Sequence, residues 1–166
     1  MDSENSPRKA LLDKALQLFQ EAYEHHMSGE LDEAATLYRA SIGLFPTAEA
    51  HTFLGWTYSF QGRLDAAIKE CEKAIELDPE FGNPYNDIGA YLIDQQKYDE
   101  AIPWLERALL AGRYESYHFP WFNLGRAHAA KESYGRALEC FREALSIQPD
   151  YTAAIDAVRS VRLKIH

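Results

Sequence analysis

The sequence predicts an all-α protein, a solenoid of four helix pairs followed by a C-terminal capping helix. A block of about 34 residues recurs along the chain, which is the signature of stacked repeats. Within each block, apolar residues return at the three- and four-residue spacing of one helix face. Glycine and proline fall between these amphipathic segments, where the chain must turn. Because one helix pair leaves an apolar face uncovered, stacking of the pairs supplies the core.

The repeat is carried by a glycine that follows a large aliphatic residue. Leu54-Gly55 recurs as Ile88-Gly89 and again as Leu124-Gly125, at intervals of 34 and 36 residues. Two sets of alanines keep the same intervals: Ala67, Ala101 and Ala137, then Ala74, Ala108 and Ala144. These small residues allow neighbouring helices to approach closely. An earlier copy is degenerate, since Glu21 stands at the aliphatic position.

The repeats resemble the tetratricopeptide pattern, W-x2-L-G-x2-Y followed by A-x3-F and a closing proline. The last repeat is nearly complete: Trp121, Leu124, Gly125, His128, Ala137, Phe141, Ala144 and Pro149. The resemblance implies a right-handed α-solenoid with repeats at 15–47, 48–81, 82–117 and 118–151. The third repeat contains a two-residue insertion, the capping helix spans 152–166, and residues 1–8 are expected to form a flexible tail.

Turn residues stand at the junctions of this scheme. Gly29 and Gly62 fall between the two helices of the first and second repeats, where a positive φ is expected after a helix. Pro84 and Pro120 occupy matching positions suited to the first turn of a helix. The glycines between the helices of a pair and the prolines at the start of a pair therefore recur at the spacing of the repeat.

Acidic residues mark the beginning of the second helix in three repeats. Asp32, Asp65 and Asp99 are expected to accept hydrogen bonds from free N–H groups there and to offset the helix dipole.

Pro103 is the exception among the prolines, because it lies inside a predicted helix. There it removes one backbone hydrogen bond and bends the helix axis.

The composition indicates a globular protein and excludes several kinds of partner. Apolar residues make up 46% and charged residues 26%, unlike a disordered chain. The formal charge of −9, from 26 acidic and 17 basic side chains, argues against nucleic-acid binding. Apolar runs are short and no signal peptide is recognisable at the N-terminus, so we expect a soluble, cytoplasmic protein without a membrane contact.

Cysteines and histidines do not form a recognisable chemical site. Cys71 and Cys140 lie on corresponding helices two repeats apart, without a CxxC motif, which argues against a disulfide or zinc. His25 and His26 are adjacent, so their side chains point about 100° apart and cannot easily share one ion. No nucleophile elbow, phosphate loop or HExxH motif occurs. The sequence therefore predicts no metal, no cofactor and no enzymatic activity.

A second stripe on the first helix of each repeat is the candidate binding site. It lies about 130° from the core stripe, and the resemblance implies that it lines a concave groove. The predicted groove residues are Phe19, Tyr23, His26, Thr52, Trp56, Asn83, Asn86, Phe119, Phe122, Asn123 and Arg126. The aromatic residues would receive the side chains of a bound peptide, and the asparagines its backbone. Alternatively, the N-terminal tail or a second copy of the chain covers these rings.

The resemblance also permits a test for one known class of ligand. Some relatives hold the C-terminal tails of Hsp70 or Hsp90 with a clamp of lysine, arginine and asparagine. The matching positions here include Phe19, Tyr23, Phe53 and Asp87, which argues against those tails. The resemblance implies a protein-binding adaptor, scaffold or co-chaperone-like module. A structural subunit of a homo-oligomer or permanent complex, or a type III secretion-like chaperone, remains an alternative.

The insertion within 114–119 allows two interpretations. Its aromatic residues suit an edge contact with a partner. A loop that only lengthens the connection between two helices has the same appearance.

Overall fold

A computed structural model describes residues 6–165 of the chain, and within this part the secondary structure is helical without a β-strand. The helices are α1 (Pro7–Met27), α2 (Leu31–Leu44), α3 (Ala48–Phe60), α4 (Leu64–Leu77), α5 (Asn83–Asp94), α6 (Tyr98–Leu110), α7 (His118–Ala130), α8 (Tyr134–Ile147) and α9 (Thr152–Arg162). The prediction of an all-α fold of helix pairs is confirmed.

The helices form two compact units, one up to Asp78 and one from Pro79 onward. In unit 1, α1 pairs with α2 and α3 with α4, and α2 packs against α3. In unit 2, α5 pairs with α6 and α7 with α8, while α6 packs against α7 and α9 covers α8. Each predicted repeat therefore contributes one antiparallel helix pair, and the predicted capping helix is the last element of unit 2.

Small residues allow the two helices of a pair to pack closely, as predicted. An added Cβ on Gly89 would lie 2.3 Å from Leu105 Cδ2, and one on Gly125 would lie 2.4 Å from Phe141 Cε1. The repeating alanines are fully buried: Ala67, Ala74, Ala101, Ala108, Ala137 and Ala144. Steric exclusion at these positions explains why the repeat requires residues without a large side chain.

The turn inside each helix pair uses one left-handed residue. Gly29 and Gly62 have φ values of 80° and 75°, so the prediction of positive φ is confirmed. The third and fourth repeats place Gln96 (φ 61°) and Glu132 (φ 59°) at the same point. The hydrogen bonds that close these turns are equivalent. Arg63 N donates to Tyr58 O at 2.9 Å in the second repeat, and Ser133 N donates to His128 O at 2.9 Å in the fourth. Tertiary packing thus imposes a conformation that these two side chains disfavour.

The aspartates at the start of the second helices do not cap them, which corrects the expectation from sequence. Each helix begins one residue before its aspartate, and the N-cap positions carry no side-chain hydrogen bond. The carboxylates lie in the first turn, where they still offset the dipole. Asp32 instead accepts a hydrogen bond from Gln61 Nε2 at 2.8 Å, and Asp99 pairs with Lys131 Nζ. These carboxylates join consecutive repeats within each unit.

The ends of the chain also differ from expectation. Helix α1 begins at Pro7, inside the predicted tail, because Ser6 accepts a hydrogen bond from Lys9 N and proline suits the first turn. Residues 1–5 of that tail lie outside the described residues. Helix α9 ends at Arg162, before the predicted end of the cap, and residue 166 also lies outside the described part. Pro103 lies inside α6, as predicted.

Candidate functional site

Unit 1 exposes an apolar surface on α1 and α3, the first helices of its two pairs. We call this surface the aromatic face and define it by six residues: Leu16, Tyr23, Met27, Phe53, Trp56 and Phe60. Phe60 and Met27 are 60% and 61% exposed and Leu16 is 50% exposed, whereas the other three are half-buried. Large apolar side chains with this degree of exposure gain free energy when a partner covers them.

Contacts between rings hold the aromatic face in one arrangement. Phe53 is central: it meets Tyr23 edge to face at 5.8 Å between centroids and Trp56 at 5.8 Å. Trp56 in turn meets Phe60 at 5.4 Å, and Phe19 meets Phe53 at 5.3 Å from below the surface. Such edge-to-face pairs are the preferred geometry of aromatic rings. These contacts set the positions of the rings of the face relative to one another.

His26 supports the aromatic face from inside. Its ring is buried and stacks on Trp56 at 4.1 Å between centroids. Its Nδ1 lies 2.9 Å from Thr57 Oγ1, and that hydroxyl donates to Phe53 O at 2.9 Å. Because the hydroxyl proton is used there, Nδ1 carries the proton and donates to Thr57. Burial lowers the pKa of His26, so the imidazole is neutral near pH 7.

The predicted groove residues of unit 2 form a chain of polar contacts. Asn123 Nδ2 donates to Asn86 Oδ1 at 3.0 Å, and both side chains are buried. Arg126 donates to Asn123 Oδ1 at 3.0 Å and to Asp94 Oδ1 at 3.2 Å. The guanidinium thus bridges two neighbouring repeats. In this conformation much of the hydrogen-bonding capacity of these residues is used within the protein.

Asp87 lies at the beginning of this polar chain. Burial raises the pKa of Asp87 to about 7, although a hydrogen bond to Asn86 lowers it. Burial, followed by the nearby charge of Asp87, also raises the pKa of Tyr114, which belongs to the insertion. An added Cβ on Gly82 would lie 2.4 Å from Tyr114 Cγ, and Tyr117 Oη donates to Ala111 O at 2.7 Å. The insertion packs on its own unit at these points.

A smaller apolar surface surrounds the beginning of α7. Phe119 is 39% exposed and meets Tyr151 edge to face at 5.8 Å. Phe122 is half-buried between Tyr151 and Phe141, at 5.1 and 5.6 Å between centroids. Asn83 is half-buried at the first position of α5. These predicted residues therefore retain some exposed surface.

Four of the predicted groove residues are buried, namely His26, Thr52, Asn86 and Asn123. Conversely, two exposed residues of the aromatic face, Met27 and Phe60, were not chosen from the sequence. Thr52 is buried and its hydroxyl donates to Ala48 O at 2.8 Å, while His26 is buried as described. Phe60 and Met27 were missed, although both lie one helical turn beyond a predicted aromatic residue. The spacing of Tyr23 and Met27, four residues, repeats in Trp56 and Phe60. Extending the stripe to the helix end finds both.

The histidines and cysteines of the described residues take part in packing and local contacts. Within the described residues no three histidine, cysteine or acidic side chains are arranged to hold an ion. The imidazole of His25 pairs with Glu30, whereas that of His26 faces Thr57. Cys71 and Cys140 are buried in α4 and α8 without a disulfide.

Between residues 6 and 165, no helix has the length and hydropathy to cross a membrane.

Two models of the tetratricopeptide repeat match the chain, one at residues 81–150 and one at 48–81, and together they cover more than half of it. A tetratricopeptide repeat-containing protein of Caenorhabditis elegans, trd-1, is 28% identical over 128 residues. That match covers 76% of this chain but only 15% of the relative.

Solved structures show the same fold. The structure of PilF from Pseudomonas aeruginosa covers 96% of this chain and 71% of its own, with a TM-score of 0.85 and 21% identity. The first repeat domain of Spaghetti (RPAP3), bound to the HSP90 peptide SRMEEVD, covers 71% of this chain and 92% of its own, with a TM-score of 0.66 and 21% identity. At these identities the likeness concerns the fold alone.

Proposed function

Because this chain belongs to the tetratricopeptide-repeat family, whose fold supports protein–protein interaction, we propose that it binds a segment of a partner protein on the aromatic face and catalyses no reaction. The observation that carries this proposal is the exposure of Phe60, Met27 and Leu16 on adjoining helices. Contiguous exposed apolar surface of this kind marks interaction sites in folded proteins.

The ring contacts within the aromatic face also support binding. Tyr23 is held against Phe53, and Trp56 is held against Phe53 and the buried His26, so both rings lose little conformational freedom when a partner covers them. Tryptophan and tyrosine are the residue types that dominate interface energetics. A partner would therefore insert its apolar side chains between Tyr23, Trp56 and Phe60. In unit 2, Asn83, Phe119 and Phe122 offer a second, smaller contact.

The HSP90 peptide bound by Spaghetti is not the ligand that we propose for this chain. Recognition of SRMEEVD requires cations that receive its acidic side chains and terminal carboxylate. Helix α3 and the part of α1 from Ala15 onward contain no lysine or arginine. We expect no saturable binding of SRMEEVD to the purified protein. Saturable binding, measured by calorimetry, would contradict this expectation.

A pair of double variants tests the proposed site. Met27→Ser with Phe60→Ser removes apolar surface from the aromatic face. Leu110→Ser with Leu163→Ser is the control and removes more exposed apolar surface elsewhere, at 84% and 81% exposed. Each protein is used to capture binding proteins from its native cells, and the enriched proteins are identified and purified for direct titration. We expect the face variant to lose at least one partner that the control variant retains. Identical affinities for every partner would contradict the proposed site.

A further inference from the structure

The geometry points to a specific class of ligand for the aromatic face, and this inference rests on the function proposed above. We propose that the face selects segments in which apolar side chains alternate with lysine or arginine, and that it rejects acidic segments. The two parts of this preference come from two features of unit 1. The exposed rings accept apolar and cationic groups, and the helix segments that carry the rings contain acidic residues without lysine or arginine.

The charge of unit 1 is the first part of the evidence. Residues 1–78 contain fourteen acidic and seven basic side chains, a formal charge of −7 out of −9 for the whole chain. The asymmetry is greatest around the rings of the aromatic face, since Lys9 and Lys14 precede this part of α1. From Ala15 to Met27 and throughout α3 no lysine or arginine occurs, whereas Glu21, Glu24 and Glu49 do. A cationic ligand therefore meets an attractive field at this surface.

Two of these carboxylates lie beside the rings. Glu49 is seven residues, or about two turns, before Trp56 on the same side of α3. Glu24 follows Tyr23 directly and is exposed, with Gln20 Nε2 donating to it at 3.4 Å. A lysine that lays its apolar stem on Tyr23 or Met27 brings its ammonium group towards Glu24, because such side chains extend along apolar surface while the charge stays in water.

Three cations of unit 1 contact residues outside the aromatic face. Arg39 donates to Tyr58 Oη at 3.0 Å, and the guanidinium of Arg63 lies over the Tyr58 ring at 4.2 Å. Tyr58 is two residues from Trp56, so it projects from α3 about 200° away. Lys73 pairs with Glu70 at 2.9 Å. These three contacts lie away from Glu24.

The rings themselves favour cations. An ammonium or guanidinium group over the face of tryptophan or tyrosine is attracted by the ring quadrupole, by about 0.5 to 1 kcal/mol at an exposed site. Trp56 presents one side to His26 and remains half-buried, and Phe60 is mostly exposed. Apolar contact provides affinity, while the carboxylates and rings together provide the preference for basic over acidic segments.

Two synthetic peptides of equal length test the preference. They carry the same leucine and phenylalanine residues and differ only in having lysine or glutamate at the positions between them. Fluorescence anisotropy with the full chain measures both dissociation constants at low and high salt. We expect the lysine peptide to bind about tenfold more tightly at low salt, with a ratio that falls as salt screens the carboxylates.

Charge reversals identify the surface responsible. Glu24→Lys changes an exposed residue beside Tyr23, and Glu72→Lys makes the same change at an exposed position of α4. We expect the Glu24 variant to lose most of the lysine preference and the Glu72 variant to keep most of it. Equal effects of the two reversals would overturn the proposal, because the preference would then reflect net charge alone. Both variants retain the apolar residues of the aromatic face.

The remaining outcomes separate this inference from the proposed function. Equal affinities of the two peptides for the wild-type chain, with weaker binding to the Met27→Ser, Phe60→Ser variant, would overturn the charge preference and leave the binding site intact. Binding that this variant does not weaken would overturn both. A dimer at high protein concentration, detected by light scattering and lost in the same variant, would show that a second copy covers the face and would also overturn the preference.

Discussion

Asp87 offers the strongest single test of the tertiary structure, because its environment opposes its charge. Burial raises the pKa of this carboxyl from 3.8 to about 7. The unfolded chain titrates near 3.8, so between these pH values the folded protein binds more protons and loses stability as the pH rises. The loss is complete above pH 7. The carboxyl group therefore destabilises the fold at neutral pH.

Replacing Asp87 by asparagine removes this penalty without changing the size of the side chain. The difference between the two pKa values corresponds to about 4 kcal/mol. The side chain keeps some access to solvent, which relieves part of the penalty, so we expect a gain of about 2 to 4 kcal/mol at pH 8. The gain should at least double between about pH 5 and about pH 8. This dependence distinguishes relief of a buried charge from a general change in packing.

Urea unfolding of the full chain, followed by circular dichroism at both pH values, measures the gain. Asp156→Asn is the matched control, since Asp156 is exposed on α9 and pairs with Arg159. We expect that substitution to change the free energy of unfolding by less than about 0.5 kcal/mol at either pH. A destabilised Asp87→Asn variant at pH 8, or a gain that is equal at the two pH values, would refute the reasoning.

Three further predictions follow from single residues. Gly125→Ala should destabilise the protein by about 1 to 3 kcal/mol, because the new methyl group overlaps Phe141. Gly43→Ala has open space around it and should stabilise the protein by up to about 1 kcal/mol. Urea unfolding curves measure both changes, and equal effects of the two substitutions would contradict this prediction. Glu132→Gly should raise the melting temperature by relieving the positive φ of that residue, a gain of about 1 kcal/mol, and no gain would show that the turn is not strained. The NMR titration of His26 should have its midpoint below pH 6.5, because burial lowers the pKa of this imidazole. The unfolded chain then binds the proton more readily than the folded chain, so the fold loses stability as the pH falls through 6.5. A midpoint above 6.5 would contradict a buried, neutral imidazole.

The repeat architecture was predictable because its signals are local. Leu124-Gly125 and its equivalents mark one face of a helix, and the spacing of such pairs gives the repeat length without reference to any distant contact. Gly29 and Gly62 predicted left-handed turns for the same reason. Gln96 and Glu132 adopt the same conformation but carry no glycine, so no local signal identified them. The surrounding helix pair imposes the turn there.

The candidate site depended on contacts that a periodic pattern does not contain. Trp56 and Thr52 lie on one stripe of α3, yet Trp56 keeps exposed surface whereas Thr52 is buried. Which edge of the stripe is covered depends on the neighbouring helix, and Asp87 owes its raised pKa to the same kind of non-local burial. Sequence therefore specified the helices, their order and the apolar stripe, since these follow from spacing along the chain. Packing in three dimensions selected which residues of that stripe meet solvent, because burial is a property of neighbours far apart in sequence.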